Sequence, residues 1–180
     1  ELVTQHARYA DLVIVGQDDP DGPTTNSIGL PGDILFGSGR PVLVIPYAGS
    51  FATTGRRVLV GWNASREAAR AVNDALPLIA KADAACVLVA NPRQGLDGHG
   101  EEPGADIAVH LARHGATVTV EHRLAPDVPD ADLLLNQASD MAADLIVIGA
   151  YGHSRLREFM LGGVTRSILR QMTVPVLMSH

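Results

Sequence analysis

Short apolar runs closed by glycine or proline recur along the 180 residues. Asp11-Leu12-Val13-Ile14-Val15-Gly16 is one, and Val42 to Ile45, held between Pro41 and Pro46, is another. Val58-Leu59-Val60-Gly61, Ala85 to Ala90, Leu145-Ile146-Val147-Ile148-Gly149 and Val174 to Met178 follow. Continuous apolar runs this short read as strands buried on both faces. Thr117 to Arg123 differs: Val118 and Val120 alternate with polar residues, which predicts an edge strand. Helical patterns fall between the runs. They cover part of residues 1–10, Ile28 to Phe36, the stretch after Ser65, Ala105 to His114, Ala131 to Ala143 and Val164 to Met172. After Ser65, a plausible N-cap, Ala68, Val72, Ala75 and Ile79 recur on one helical face, and Pro77 is expected to kink the last turns. Gly115 stops the helix that begins at Ala105. Gln17 to Asn26, Tyr47 to Gly55 and Asn91 to Gly104 read as loops.

From Arg57 onward strands and helices alternate, which implies a parallel sheet with helices on both faces. An internal repeat is also visible: ADLVIVG at 10–16 echoes ADLIVIG at 143–149, and RPVLVIP at 40–46 echoes VPVLMSH at 174–180. Residues 1–50 therefore read as the C-terminal remnant of a first repeat, 51–56 as a linker and 57–180 as a complete second repeat. The chain starts at Glu1 inside a helical pattern, as a fragment or processed product would.

Composition sharpens this only in part. At 46% hydrophobic and 19% charged the chain is globular, and a net charge of −6 argues against nucleic acid. The charge is uneven, with Arg155, Arg157, Arg166 and Arg170 set against Glu158 alone between 150 and 171. A basic segment in an acidic chain suits a small anion, and ordinary surface arginines explain it equally well. The single Cys86 lies in an apolar run, as a buried, inert thiol would. With no apolar run of membrane-spanning length and no signal peptide visible, the expected compartment is the cytoplasm. The glycosylation pattern Asn63-Ala64-Ser65 is then empty.

The chemistry concentrates after Leu145 to Ile148. A buried strand runs into Gly149, Gly152, Gly162 and Gly163, and then into a helix start at Val164. Glycines let backbone approach an anion, and the first N–H groups of the helix point at it, so the loop can hold phosphate. His153, Ser154 and Arg155 lie in that loop, as phosphate contacts or as a solvated surface. His110 and His114 have the spacing of two metal ligands on one helix, but no third ligand pattern accompanies them, and a surface pair is the default. No nucleophile elbow, Walker A loop or dinucleotide fingerprint is present; Gly37-Ser38-Gly39 precedes a strand and reads as turn chemistry. No catalytic residues stand out, so an enzyme is not expected.

The opening VLVGWNASREAARAV, the strand ADLIVIGA, the spacing G-x2-G-x9-G at Gly149, Gly152 and Gly162, and the closing VTRSILRQMTVPVLMSH together resemble the universal stress protein family. The whole chain resembles the later part of a tandem member. The resemblance implies a doubly wound five-stranded parallel sheet, order 3-2-1-4-5, extended here by strands of the partial first repeat. It implies ATP, with or without Mg²⁺, at the carboxyl ends of strands 1 and 4. Gly149, Gly152, Gly162 and Gly163 would then meet phosphate and ribose, with His153, Val164 and Thr165 beside them. Gly61, Trp62 and Asn63 would lie across the crevice near adenine or ribose, and Ala90 would flank the base. Trp62 could equally plug the top of the sheet. The chain departs from the family's pattern twice. Gly163 stands where Ser or Thr is usual, with Thr165 as a possible replacement hydroxyl, and Asn63-Ala64-Ser65 stands for Asp-Gly-Ser.

Three functional expectations follow. The first is an adenine-nucleotide-binding module of stress response or signalling. The second is a dimeric interaction scaffold without nucleotide. The third, an enzyme cleaving ATP between its α and β phosphates, lacks the phosphate loop it needs after its first strand. The resemblance further implies that the last strand, Val174 to Met178, pairs antiparallel with Val42 to Ile45 of the same chain or with another copy in a homodimer.

Overall fold

The computed structural model describes residues 2–18, 29–92, 102–150 and 163–180. In chain order they form α1 (Leu2–Ala7), β1 (Val13–Gly16), α2 (Gly29–Ser38), β2 (Val42–Ile45), β3 (Arg57–Gly61), α3 (Arg66–Ile79) and β4 (Ala84–Ala90). Then come α4 (Ala105–Arg113), β5 (Val118–Arg123), α5 (Asp130–Asp140), β6 (Leu145–Gly149), α6 (Gly163–Gln171) and β7 (Val176–Ser179). One sheet carries the strands in the order β1-β2-β7-β6-β3-β4-β5. Its part from β5 to β7 is parallel and has the expected 3-2-1-4-5 order.

The apolar runs are buried on both faces because successive side chains point opposite ways. Leu59, Cys86, Leu88, Ile146 and Ile148 meet Leu134 and Ala138 of α5 and Ile168 of α6 on one face. Val58, Val60, Ala85, Val87, Leu145 and Val147 meet Ala71, Val72 and Ala75 of α3 and Leu111 of α4 on the other. Strand β5 lies at the sheet edge, with Val118 and Val120 half-buried and the residues between them exposed.

The expected antiparallel pairing of the two repeat-like strands is present. Val42 lies opposite Met178, Leu43 opposite Leu177 and Val44 opposite Val176. Leu43 and Leu177 occupy the same place in the two sequence echoes, so the register is that of a local two-fold axis through them. The likeness extends to the neighbouring strands. Val13 pairs with Val42 as Ile146 pairs with Val176, and the Val13 N–H donates to Pro41 O as the Ile146 N–H donates to Pro175 O, each at 3.0 Å. The helices follow the same order, with α1 and α2 packed together beside β1 and β2 as α5 and α6 are beside β6 and β7, but the opposite face of the sheet is covered differently. Helix α3 covers Val147, whereas its counterpart Ile14 is 63% exposed.

Several element ends shift by a residue or more from the sequence reading. Helix α5 stops at Asp140 rather than Ala143, because Ala142 takes a left-handed φ of 50°. Helix α6 starts one residue earlier, at Gly163 itself, and β7 begins at Val176, just after Pro175. Helix α3 runs through Pro77 to Ile79. An anchor not anticipated from the sequence ties 55–57 to the strand entry. Asp144 Oδ1 accepts from the Gly55 and Arg57 N–H groups at 3.1 and 2.8 Å, and Oδ2 from the Arg56 N–H at 3.2 Å. Burial raises the pKa of this carboxyl, but these bonds, with one from the Thr53 side chain, outweigh it and hold the group below its ordinary value.

Candidate functional site

The sheet order reverses between β3 and β6: β3 is followed in sequence by its neighbour β4 on one side, while β6 lies on the other. Chains leaving the two strands diverge there and open a crevice at their carboxyl ends. A cleft lies at that point, lined by Gly61, Trp62, Asn63, Leu88, Ala90, Asp130, Leu134, Ile148, Gly149, Gly163, Val164 and Thr165. Eight of the expected site residues are therefore together: Gly61, Trp62, Asn63, Ala90, Gly149, Gly163, Val164 and Thr165. Gly152, His153 and Gly162, with Ser154 and Arg155, lie outside the described residues.

Each wall has a local cause. The β3–α3 turn is set by Asn63, whose Oδ1 accepts from the Ser65 N–H at 3.1 Å, and by Ser65, whose Oγ caps α3 through the Ala68 N–H at 3.1 Å. One of the two acceptor positions of the Asn63 oxygen is thus used within its own turn. Between the two, Ala64 sits at φ 57°, a left-handed conformation that disfavours a side chain and explains why glycine suits this place in the family's pattern. Trp62 packs against the α3-side core and also lines the cleft, and its backbone N–H donates to Leu88 O at 2.9 Å.

Gly149 has a packing role that the sequence did not disclose. A Cβ there would strike the Ala68 N and would lie 2.8 Å from Ala68 Cα. The absence of a side chain lets α3 lie directly on the end of β6. Gly61 is constrained more softly, since its added Cβ would lie 2.9 Å from the side chains of Ile148 and Leu134. Among the described residues nothing lies within 4 Å of a Cβ added at Gly163. A hydroxyl-bearing residue there would displace none of them, and the Thr165 side chain nearby is 3% exposed.

Asp130, Leu88, Leu134 and Ile148 also line the cleft and were not foreseen as site residues. Asp130 begins α5 and is fastened to the residue after β4: Asn91 Nδ2 donates to its Oδ1 at 2.8 Å. Asn91 adopts φ 45°, and its Oδ1 accepts from the Ala125 N–H at 2.8 Å. Asn91 follows a strand and was read as the start of a loop; its turn-former chemistry was the one available signal.

His110 and His114 face each other edge-on at 4.8 Å between ring centres, and His110 Nε2 is buried with no hydrogen-bond partner among the described residues. Among the described residues no group of three or more side chains could hold a metal ion. Arg166 and Arg170 of α6 are exposed. No helix among the described residues is long and apolar enough to cross a membrane.

Comparison with known proteins gives concordant results. The model of the universal stress protein family matches residues 55–180. A curated relative, universal stress protein Slr1230 of Synechocystis, is 39% identical over 46 residues, which is 26% of this chain and 16% of that protein. Among solved structures, a universal stress protein from Archaeoglobus fulgidus DSM 4304 aligns over 99% of this chain and 65% of its own, with 17% identity and a TM-score of 0.70. A second structure from Archaeoglobus fulgidus aligns over 67% of this chain and 95% of its own, with 18% identity and a TM-score of 0.54. This chain thus spans just under two thirds of the first of these structures and a small part of the curated relative. The structural likenesses speak for the fold, and the family match covers more than half of the sequence. The chain belongs to the universal stress protein family.

Proposed function

We propose that the protein is an adenine-nucleotide-binding module of stress response or signalling in the cytoplasm, holding ATP with or without Mg²⁺ rather than turning it over. The observation that carries this reading is the cleft at the reversal of strand order. There the glycine at the end of β6 and the start of α6 face an aromatic and apolar wall from β3, β4 and α5. The α6 start offers free N–H groups and the positive end of the helix dipole to phosphate. Trp62, Leu88, Ala90 and Leu134 offer apolar surface to a base. Residues 1–50, whose strands β1 and β2 have the matching register, are read as the remnant of a first repeat that extends the sheet. Calorimetry on nucleotide-stripped protein with ATP and Mg²⁺ tests the proposal. Saturable heat supports it, and no heat at millimolar ATP refutes it.

The scaffold reading is narrowed by one observation. The outer edge of β7 is taken by β2 of the same chain, so a homodimer built on that edge would have to displace it.

A further inference from the structure

The cleft has two chemically unlike ends. Gly149 and the α6 start lie over β6, whereas Leu88, Ala90 and Asp130 lie over β4, two strand spacings away. At the usual spacing this separates the ends by about 10 Å. The far end carries a carboxylate. A phosphate placed there would set like charges together in a partly desolvated cleft, so the anionic part of a ligand belongs at the α6 end.

Asp130 is held in one orientation. Its Oδ1 accepts from Asn91 Nδ2 at 2.8 Å, and it has no other hydrogen bond among the described residues. The Asn91 amide cannot be reversed, because its own oxygen is required by the Ala125 N–H at 2.8 Å. The left-handed φ of 45° at Asn91, which asparagine tolerates well, fixes the backbone behind it. This clamp leaves Asp130 with acceptor capacity in the cleft and nothing to donate. Beside it, Leu88, Ala90 and Leu134 are apolar, and Trp62 lines the same cleft.

Resting on the nucleotide reading above, the geometry points to Asp130 as the specificity-determining residue of the cleft. It accepts a hydrogen bond from the 6-amino group of a purine base, with Asn91 as the positioning residue that aims it. A base without a donor at that place would leave the carboxylate facing an unpaired edge, and loss of a hydrogen bond to a charged group costs about tenfold or more in affinity.

The test uses the nucleotide-stripped protein, Asp130→Asn, and four ligands: ATP, purine riboside 5′-triphosphate, inosine 5′-triphosphate and 2′-deoxy-ATP. The wild-type protein is expected to bind purine riboside triphosphate about tenfold more weakly than ATP. In Asp130→Asn the introduced amide must still present its oxygen to Asn91 Nδ2, so its NH₂ group turns to the cleft. ATP then weakens about tenfold, purine riboside triphosphate changes little, and the preference for ATP over inosine triphosphate falls about tenfold. Equal binding of ATP and purine riboside triphosphate by the wild-type protein overturns the inference without any variant. So does an unchanged ratio in Asp130→Asn, or a variant effect confined to discrimination against 2′-deoxy-ATP, which would assign Asp130 to the sugar. Absence of binding by the wild-type protein to all four ligands defeats the nucleotide reading itself and this inference with it.

Discussion

Gly149→Ala separates two reasons for a glycine at the end of β6. If the residue serves only backbone approach to a ligand, the unliganded protein should tolerate alanine. The structure gives a different expectation, since the added methyl would strike the Ala68 N and lie 2.8 Å from Ala68 Cα, both backbone atoms of the first turn of α3. A side chain could rotate away, but a capped helix start cannot. Relief requires α3 to move off β6, opening contacts of Ala71, Val72 and Ala75 with Val147 and Leu145. Overpacking of this kind costs typically 1–3 kcal/mol, and with no side chain able to yield the upper end applies, about 3 kcal/mol. In a chain of this length each kcal/mol moves Tm by about 2–4 °C, so melting should fall by about 6–12 °C. Two companion variants grade the reasoning. Gly61→Ala meets only the side chains of Ile148 and Leu134, at 2.9 Å, and should cost less. Gly163→Ala meets nothing among the described residues and should leave Tm unchanged or raise it slightly, by about 0.4–1 kcal/mol of reduced chain entropy. Circular dichroism melts without nucleotide decide the matter. If Gly149→Ala melts within 2 °C of the wild-type protein (about 1 kcal/mol at most), the packing argument is wrong.

Three further outcomes are expected. Ala64→Gly should stabilise by about 0.5–1 kcal/mol, the left-handed penalty at φ 57° less the added entropy of glycine, read as a small rise in urea midpoint. Asp144→Asn should destabilise by about 1 kcal/mol at neutral pH, since three backbone N–H groups lose a charged acceptor. Because the folded carboxyl titrates below its ordinary value of 3.8, its contribution is present above that value and is lost as pH falls through the lower folded one. The gap between Asp144→Asn and wild-type stability should therefore close in acid, and a gap independent of pH would refute the assignment. Gly163→Ser, with open space for its hydroxyl, should bind ATP about fivefold more tightly by calorimetry if that hydroxyl meets phosphate, the effect of about 1 kcal/mol.

The parts legible in the sequence were those with a local signature. Leu145 to Ile148 and Val58 to Val60 are apolar on both faces because α3 lies on one side and α5 or α6 on the other, so they show as unbroken runs. Val118 and Val120 alternate with polar residues because β5 is covered on one face only. The β2–β7 seam was legible through the repeat, since a two-fold relation of like segments pairs Leu43 with Leu177. Asp130 and Asn91 were not legible: 38 intervening residues conceal a contact of 2.8 Å created by the crossover from β4 to β5. Nor was the reason for Gly149, because a glycine needed for a helix to approach looks the same in sequence as one needed for a phosphate. Asn63 shows the opposite limit. It lines the cleft as expected, and its oxygen also accepts from the Ser65 N–H, a turn bond that a side chain two residues before a helix N-cap finds locally and that its identity alone did not announce.

The most direct test of the nucleotide site is an amide chemical-shift map of the nucleotide-stripped protein on adding ATP. Shifts are expected to saturate together at Gly61, Trp62, Ala90, Gly149, Gly163, Val164 and Thr165, around the strand-order reversal, with Val13 to Gly16 of the far edge strand unmoved. Saturating shifts confined to α1, α2 and β1, or no shifts at millimolar ATP, would contradict that site.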